Sequence, residues 1–219
     1  MKKLFLFNLL MTFCCICTFA AKPKPVQKPV VKPGIEVLVQ EDFAPLKGKR
    51  VGLVTNPSGV DRNLRSTVDI LFNAPQVNLV ALFGPEHGVR GDVYAGGKVT
   101  DTKDEATGLP VYSLYGATRK PTPQMLEGID VMVYDIQDVG ARFYTYLYNL
   151  THMMQACASA GVPIMVLDRV NPINGVQIEG EILDESKHRS GIGEYAIPTR
   201  YGLTIGEFAQ WVNAERGIG

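Results

Sequence analysis

The sequence predicts a doubly wound α/β domain built on a mainly parallel sheet, and three observations carry that prediction. Short runs that are apolar throughout recur along the chain, as strands covered on both faces require. Segments of helical spacing separate them, so neighbouring strands are joined by crossovers and run the same way. The chain has 219 residues, 46% hydrophobic and 20% charged, which is enough for one sizeable core and the start of a second domain.

The elements follow in order. Arg50 to Thr55 (RVGLVT) is the first strand, and Asn56-Pro57-Ser58-Gly59 turns out of it. Asn63 to Phe72 has Leu64, Val68, Leu71 and Phe72 at helical spacing. Val77 to Phe83 (VNLVALF) is the second strand. Val111 to Leu114 is a short strand beside "LYG", and Pro123 to Leu126 is a single helical turn. Asp130 to Ile136 (DVMVYDI) is a third strong strand. Ala141 to Ala160 reads as a helix whose stripe of Phe143, Leu147, Leu150, Met154 and Cys157 belongs to the core. Pro163 to Leu167 (PIMVL) is the fourth strand, ended by Asp168. Thr204 to Glu207 is a capping box that opens a helix to about Arg216.

The first 34 residues stand apart. Lys2 and Lys3 precede an apolar run from Leu4 to Phe19, and Thr18-Phe19-Ala20 offers small residues for a signal peptidase, so residues 1–21 read as a secretory signal. The run is short for a membrane span, and none is expected after cleavage. Residues 22–34, "KPKPVQKPVVKPG", alternate Pro with Lys as an extended tether. The domain proper is then 35–219, in an exported protein of the periplasm or cell envelope. Cys14, Cys15 and Cys17 fall in the signal, leaving Cys157 without an internal partner. Six of the 22 Lys and Arg, and no acid, precede Gly34, so the body carries 16 cations against 22 acids, a net of −6. Such a body is not drawn to nucleic acid, and an anionic ligand must be held by local arginines.

Parallel geometry brings the segments that follow the strands to one edge of the sheet, where ligands bind in such folds. "TNPSGVD", "GPEHGVRGD", "QDVGARFYTY" and "DRVNPING" therefore share a crevice. Glu86 and His87 enter it with Asn56, Asp138, Arg142, Asp168 and Asn171. A carboxylate and an imidazole on a stiff Gly-Pro turn are what proton transfer wants. No Gly-x-Gly-x-x-Gly follows the first strand, which excludes a dinucleotide fingerprint, and no cofactor is expected. Gly91 to Lys98 departs from a phosphate loop in its lysine position, and Ser58 lacks the flanking glycines of a nucleophile elbow. His87, His152 and His188 have no zinc spacing, so no metal is assigned. Carboxylate acid–base chemistry is left as the leading enzymatic reading.

"LVTNPSGVD", "LFGPEHGVRGD", "TGLPVYSLYG", "DVMVYDIQDVGARFYTY", "VLDRVNPI" and "YGLTIGEFA" together resemble the bacterial exo-β-N-acetylmuramidase (NamZ) family, formerly a domain of unknown function. The resemblance runs from about Gly34 to the last residue. It implies a Rossmann-like N-terminal domain without a dinucleotide, and release of N-acetylmuramic acid from the non-reducing end of peptidoglycan fragments. It also implies a second, C-terminal domain, largely absent from this chain, which on that ground is expected to be a truncated piece. By the family's motif, Glu86 is the catalytic carboxylate. Its expected role is the acid that protonates the leaving oxygen. His87 tunes it, binds a hydroxyl, or is structural. Asp138, beyond its strand and before a helix, is preferred as the second group over Asp135, Asp92 and Asp168. Arg142 and Arg90 are the cations available for the lactyl carboxylate of muramic acid. Tyr94, Tyr144 and Tyr146 are candidates to stack on sugar, with at least one of the last two claimed by the core. A non-catalytic wall-binding module and a metal-dependent hydrolase are the rival readings.

Overall fold

A computed structural model describes residues 30–94, 97, 101–116 and 119–219, and the account concerns the unit Lys32–Gly219. The expected signal segment, most of the Pro/Lys tether and the lysine of the phosphate-loop-like stretch lie outside the described residues. No described helix is long and apolar enough to cross a membrane.

The strands are β1 (Arg50–Thr55), β2 (Asn78–Gly84), β3 (Thr102–Lys103), β4 (Pro110–Ser113), β5 (Val131–Asp135) and β6 (Ile164–Val166). The helices are α1 (Gly34–Gln40), α2 (Thr67–Phe72), α3 (Tyr146–Ala160), α4 (Glu185–His188) and α5 (Ile205–Arg216). The sheet order is β3-β4-β2-β1-β5-β6, and every neighbouring pair is parallel except β3 with β4 at one edge. This is the predicted α/β class. From β1 the chain moves to β2 on one side, and from β5 to β6 on the other. Right-handed crossovers in opposite directions put α2 and α3 on opposite faces, so the sheet is wound on both sides.

The strand residues divide between the faces by the period of two. Val51, Leu53, Leu82, Val131 and Val133 pack with Ile35, Leu38, Val68 and Leu71 of α1 and α2. Val54, Phe83, Met132 and Tyr134 pack with Leu147, Leu150 and Met154 of α3 and with Phe208 and Val212 of α5. Gly52 makes room on the second face, because a Cβ there would lie 2.8 Å from the Met132 side chain.

Two helices start later than their periodicity predicts. The carboxylate of Asp61 accepts the amides of Asn63 and Arg65 at 2.9 Å each, which makes a turn with Leu64 at φ 61° and its side chain 80% exposed. The helix begins only at Thr67, where the Ser66 side chain accepts the Val68 amide. Likewise Ala141 bridges Arg200 and the Arg142 amide donates to Thr199 O at 2.8 Å, so α3 begins at Tyr146 and Phe143 is half exposed instead of in the core. At the other end of the domain, α1 begins at Gly34. Its amide donates to Asp168 O, and a Cβ there would lie 2.6 Å from the backbone of Leu167 and Asp168.

One buried ion pair ties the rim. Asp135, fully buried at the end of β5, receives Arg169 Nε at 2.6 Å and Nη2 at 3.0 Å. Thr67 donates to the same carboxylate at 2.5 Å, Thr55 donates to the Asp135 carbonyl at 2.8 Å, and Arg169 also donates to Val60 O. Gly59 has no room for a side chain here, since a Cβ would fall 2.1 Å from the Thr55 hydroxyl. Removing one member of a buried pair leaves an uncompensated charge. Asp135→Ala is expected to cost about 3–5 kcal/mol in urea unfolding, and Thr67→Val about 1 kcal/mol. A loss near zero for Asp135→Ala would show that the pair does not hold the rim.

Cys157 is buried in α3, and burial pushes its thiol up to about 12. Alkylation at pH 8, mapped by mass spectrometry, is expected to spare Cys157 in the native protein and to label it after unfolding.

Candidate active site

β1 and β5 are the strands from which the chain departs in opposite directions, and the loops that follow them meet. The Gln137 amide donates to Ser58 Oγ at 2.9 Å, and Ser58 donates in turn to Asn56 Oδ1 at 2.5 Å. Asn56, nearly buried, is also hydrogen-bonded to the phenol of Tyr146 at the start of α3. Burial raises the Tyr146 pKa above the usual phenol value, the bond to Asn56 opposes this, and the charges of Glu86 and Asp138 add to the rise. One hydroxyl thus lies within electrostatic reach of both carboxylates.

Glu86 is carried by the turn after β2. The Gly88 amide donates to Pro85 O at 3.0 Å, and His87 and Gly88 both adopt positive φ, 76° and 73°. A non-glycine residue in the left-handed region is held there by its surroundings; here the His87 Nδ1 donates to Val93 O at 3.1 Å. The ring is bound to its own loop, while Glu86 lines a pocket of about 320 Å³. Tyr115, Arg119, Thr145, Tyr148 and Asn149 line the same pocket, as do His152, Ile192 and Glu194. Tyr115 is hydrogen-bonded to Glu86, and that bond with the carboxylate charge raises its phenol pKa. His152 Nε2 lies 3.1 Å from Glu194 Oε2. Burial raises the Tyr148 phenol to about 12, so it remains a donor, to Arg142 O at 2.5 Å.

Asp138 stands in a different environment. It is 4% exposed, and burial raises its pKa above the usual carboxylate range despite bonds from Tyr201 and Gly140. Both donors reach one oxygen: the Gly140 amide gives Oδ2 a 2.7 Å bond, and the Tyr201 hydroxyl bonds it too. The other oxygen, Oδ1, is buried without a hydrogen-bond partner. An orphaned carboxylate oxygen in a dry, phenol-lined site is the mark of a group that holds a proton more tightly than in water.

A family model described as exo-beta-N-acetylmuramidase NamZ, N-terminal, matches residues 51–219. The chain belongs to this family. It is 52% identical over 213 residues to the peptidoglycan beta-N-acetylmuramidase NamZ of Bacillus subtilis (strain 168), covering 95% of this chain and 51% of that protein. Two solved DUF1343 family proteins of Bacteroides fragilis NCTC 9343 share the fold. One is 54% identical with a TM-score of 0.79, covering 86% of this chain and 47% of the other. The second is 40% identical with a TM-score of 0.74, covering 86% and 48%. The chain spans about half the length of the relatives it matches.

Within this NamZ-family domain the residues singled out from sequence fall into two groups. Glu86, Asn56 and Asp138 all act on Tyr146, Asn56 through a hydrogen bond and the two carboxylates through their charge. Of the others, most are engaged in holding the fold, and three are exposed. Asp135 pairs with Arg169. Arg90 is clamped between Asp104 and Asp69, both at 2.8 Å, and those partners raise its pKa further. Arg142 Nη1 donates to the carbonyls of Glu181 (2.9 Å) and Ile197 (2.6 Å). Asp168 accepts Thr204 Oγ1 and the Gly206 amide at the head of α5, both at 2.8 Å. Asn171 donates to Leu203 O and packs where a Cβ on Gly140 would sit. Asp92 is exposed, with its carboxylate over Gly88; Tyr94 and Tyr144 are exposed, the latter stacked near Phe143. Tyr115, Arg119 and the His152–Glu194 pair were not singled out from the sequence. Tyr115 was within reach of the strand-end rule, because "LYG" directly follows β4.

A raised carboxylate pKa stabilises the fold at low pH, and that contribution is lost as pH climbs through the raised value. Asp138→Asn keeps an acceptor for Tyr201 and Gly140 and removes the charge. Its melting temperature relative to the parent is expected to rise as pH goes from about 4 to about 7. A difference that stays constant with pH would mean Asp138 does not titrate abnormally.

Proposed function

We propose that this chain carries the carboxylate machinery of an exported glycoside hydrolase that releases terminal N-acetylmuramic acid from peptidoglycan fragments. The observation that carries this is the arrangement at Tyr146: two carboxylates in unlike environments lie within electrostatic reach of one phenol. Glycoside hydrolysis asks for such a pair, one group giving a proton to the leaving oxygen and the other acting on the opposite side of the ring. Glu86 faces the pocket, is reached by solvent, and is assigned the acid role, with Tyr115 and its rigid Pro85–Gly88 turn orienting it. Asp138, buried with a free oxygen, is assigned to stabilise or activate through Tyr146. A pocket of about 320 Å³ is at the small end of ligand sites and suits one terminal sugar rather than a chain. The name of the Bacillus relative supplies the substrate class. The apolar N-terminal run and the Pro/Lys tether support an exported address in the cell envelope.

The rival reading is a sugar-binding module without turnover. The test is hydrolysis of a muramyl-β-1,4-N-acetylglucosamine disaccharide beside a nitrophenyl muraminide. Glu86→Gln is expected to lower kcat on the disaccharide by about 10²–10⁴-fold, and less on the nitrophenyl glycoside, whose leaving group needs little protonation. Turnover of the disaccharide within threefold of the parent would remove Glu86 from the acid role. Binding without turnover in the parent would establish the module instead.

A further inference from the structure

We propose that Arg119 is the specificity-determining residue of the Glu86 pocket and reads the carboxylate of the sugar's acidic substituent. The inference rests on the glycosidase reading for its substrate class. Its warrant is the charge arrangement of the pocket itself. Arg90 and Arg142 have their guanidinium groups committed to Asp104 and Asp69 and to two backbone carbonyls. Arg119 lines the pocket with Glu86 and makes neither an ion pair nor a hydrogen bond to the described residues.

The two acids of the pocket have other engagements. Glu194 faces His152 at 3.1 Å, and Glu86 is hydrogen-bonded by Tyr115. Arg119 therefore brings a positive charge, felt at Tyr115, and a planar fork of donors into a pocket of about 320 Å³. That geometry fits a carboxylate in two-point contact. Gly191, which also lines the pocket, leaves room for the guanidinium: a Cβ there would fall 2.6 Å from Arg119 Nη1. N-acetylmuramic acid and N-acetylglucosamine differ by the lactyl ether and its carboxylate, so this contact separates the two sugars.

The test is titration of the chain with each free sugar, followed by NMR or calorimetry. The parent is expected to bind N-acetylmuramic acid at least tenfold more tightly than N-acetylglucosamine, the worth of one charge-assisted contact. Arg119→Gln is expected to abolish the preference by weakening only the muramic acid, and Arg119→Lys to restore part of it. Gly191→Ala leaves the charge in place but displaces the guanidinium, and is expected to lower the preference by severalfold. A preference that survives Arg119→Gln overturns the inference while leaving the glycosidase reading intact. A parent that does not distinguish the sugars, yet loses disaccharide turnover on Glu86→Gln, overturns it too. Absence of both binding and turnover in the parent sinks the two together. Arg119 is exposed, so its variants are expected to fold as the parent does.

Discussion

The contact between Asp135 and Arg169 is the constraint on which the rim of this domain depends. Asp135 is the last residue of β5, and Arg169 begins the loop after β6. Through Thr67 and Val60 the same two side chains also hold the start of α2 and the loop after β1. Two stretches that are distant in sequence, residues 60–67 and the loop after β6, are therefore fixed relative to one strand end. A buried ion pair adds little net stability over an apolar packing of the same volume, but its partners must meet in one geometry. Here that geometry sets where Asn56 and Asp138 stand, only a few residues beyond the atoms that make the pair.

The chemistry of the site follows from unequal burial. Glu86 emerges on a glycine-bounded turn and faces the pocket. Asp138 lies under Tyr201, with one oxygen satisfied twice and the other not at all. Burial thereby raises the affinity of Asp138 for the proton. Tyr146 feels the charge of both carboxylates, fixed at the first turn of α3 and hydrogen-bonded to Asn56. The helix contributes its stem to the core and its first residue to the site.

Much of the architecture was legible because apolar runs and parallel crossovers leave few alternatives. β1 has the bounds that its composition gives, and the capping box of Thr204 and Glu207 is formed as read. The rule that loops converge beyond strand ends picked out Glu86, Asn56 and Asp138, all three of which act on Tyr146 in the structure. It failed to separate these from residues with structural duties, since Asp168, Asn171, Arg90 and Arg142 stand in the same loops. Their partners, such as Leu203, Asp104 and Ile197, come from other parts of the chain, and a local pattern carries no trace of them. Leu64 and Phe143 mislead for a related reason. Helical spacing continues past the true helix start, whereas Asp61 and the segment around Thr199 claim the backbone amides there. Arg119 and Glu194 had no signal at all, because neither follows a strong strand.

The alternation of β1, β2 and β5 between the two half-cores has a mechanical consequence. Leu53 and Val54 are neighbours in the chain yet serve opposite layers, as do Val133 and Tyr134. Neither layer can melt while the other persists, since losing one strips half the contacts from strands the other requires. The cooperative unit is then the whole sheet with both coverings. The loops along its carboxyl edge gain from this: they are anchored to elements that open only when everything opens.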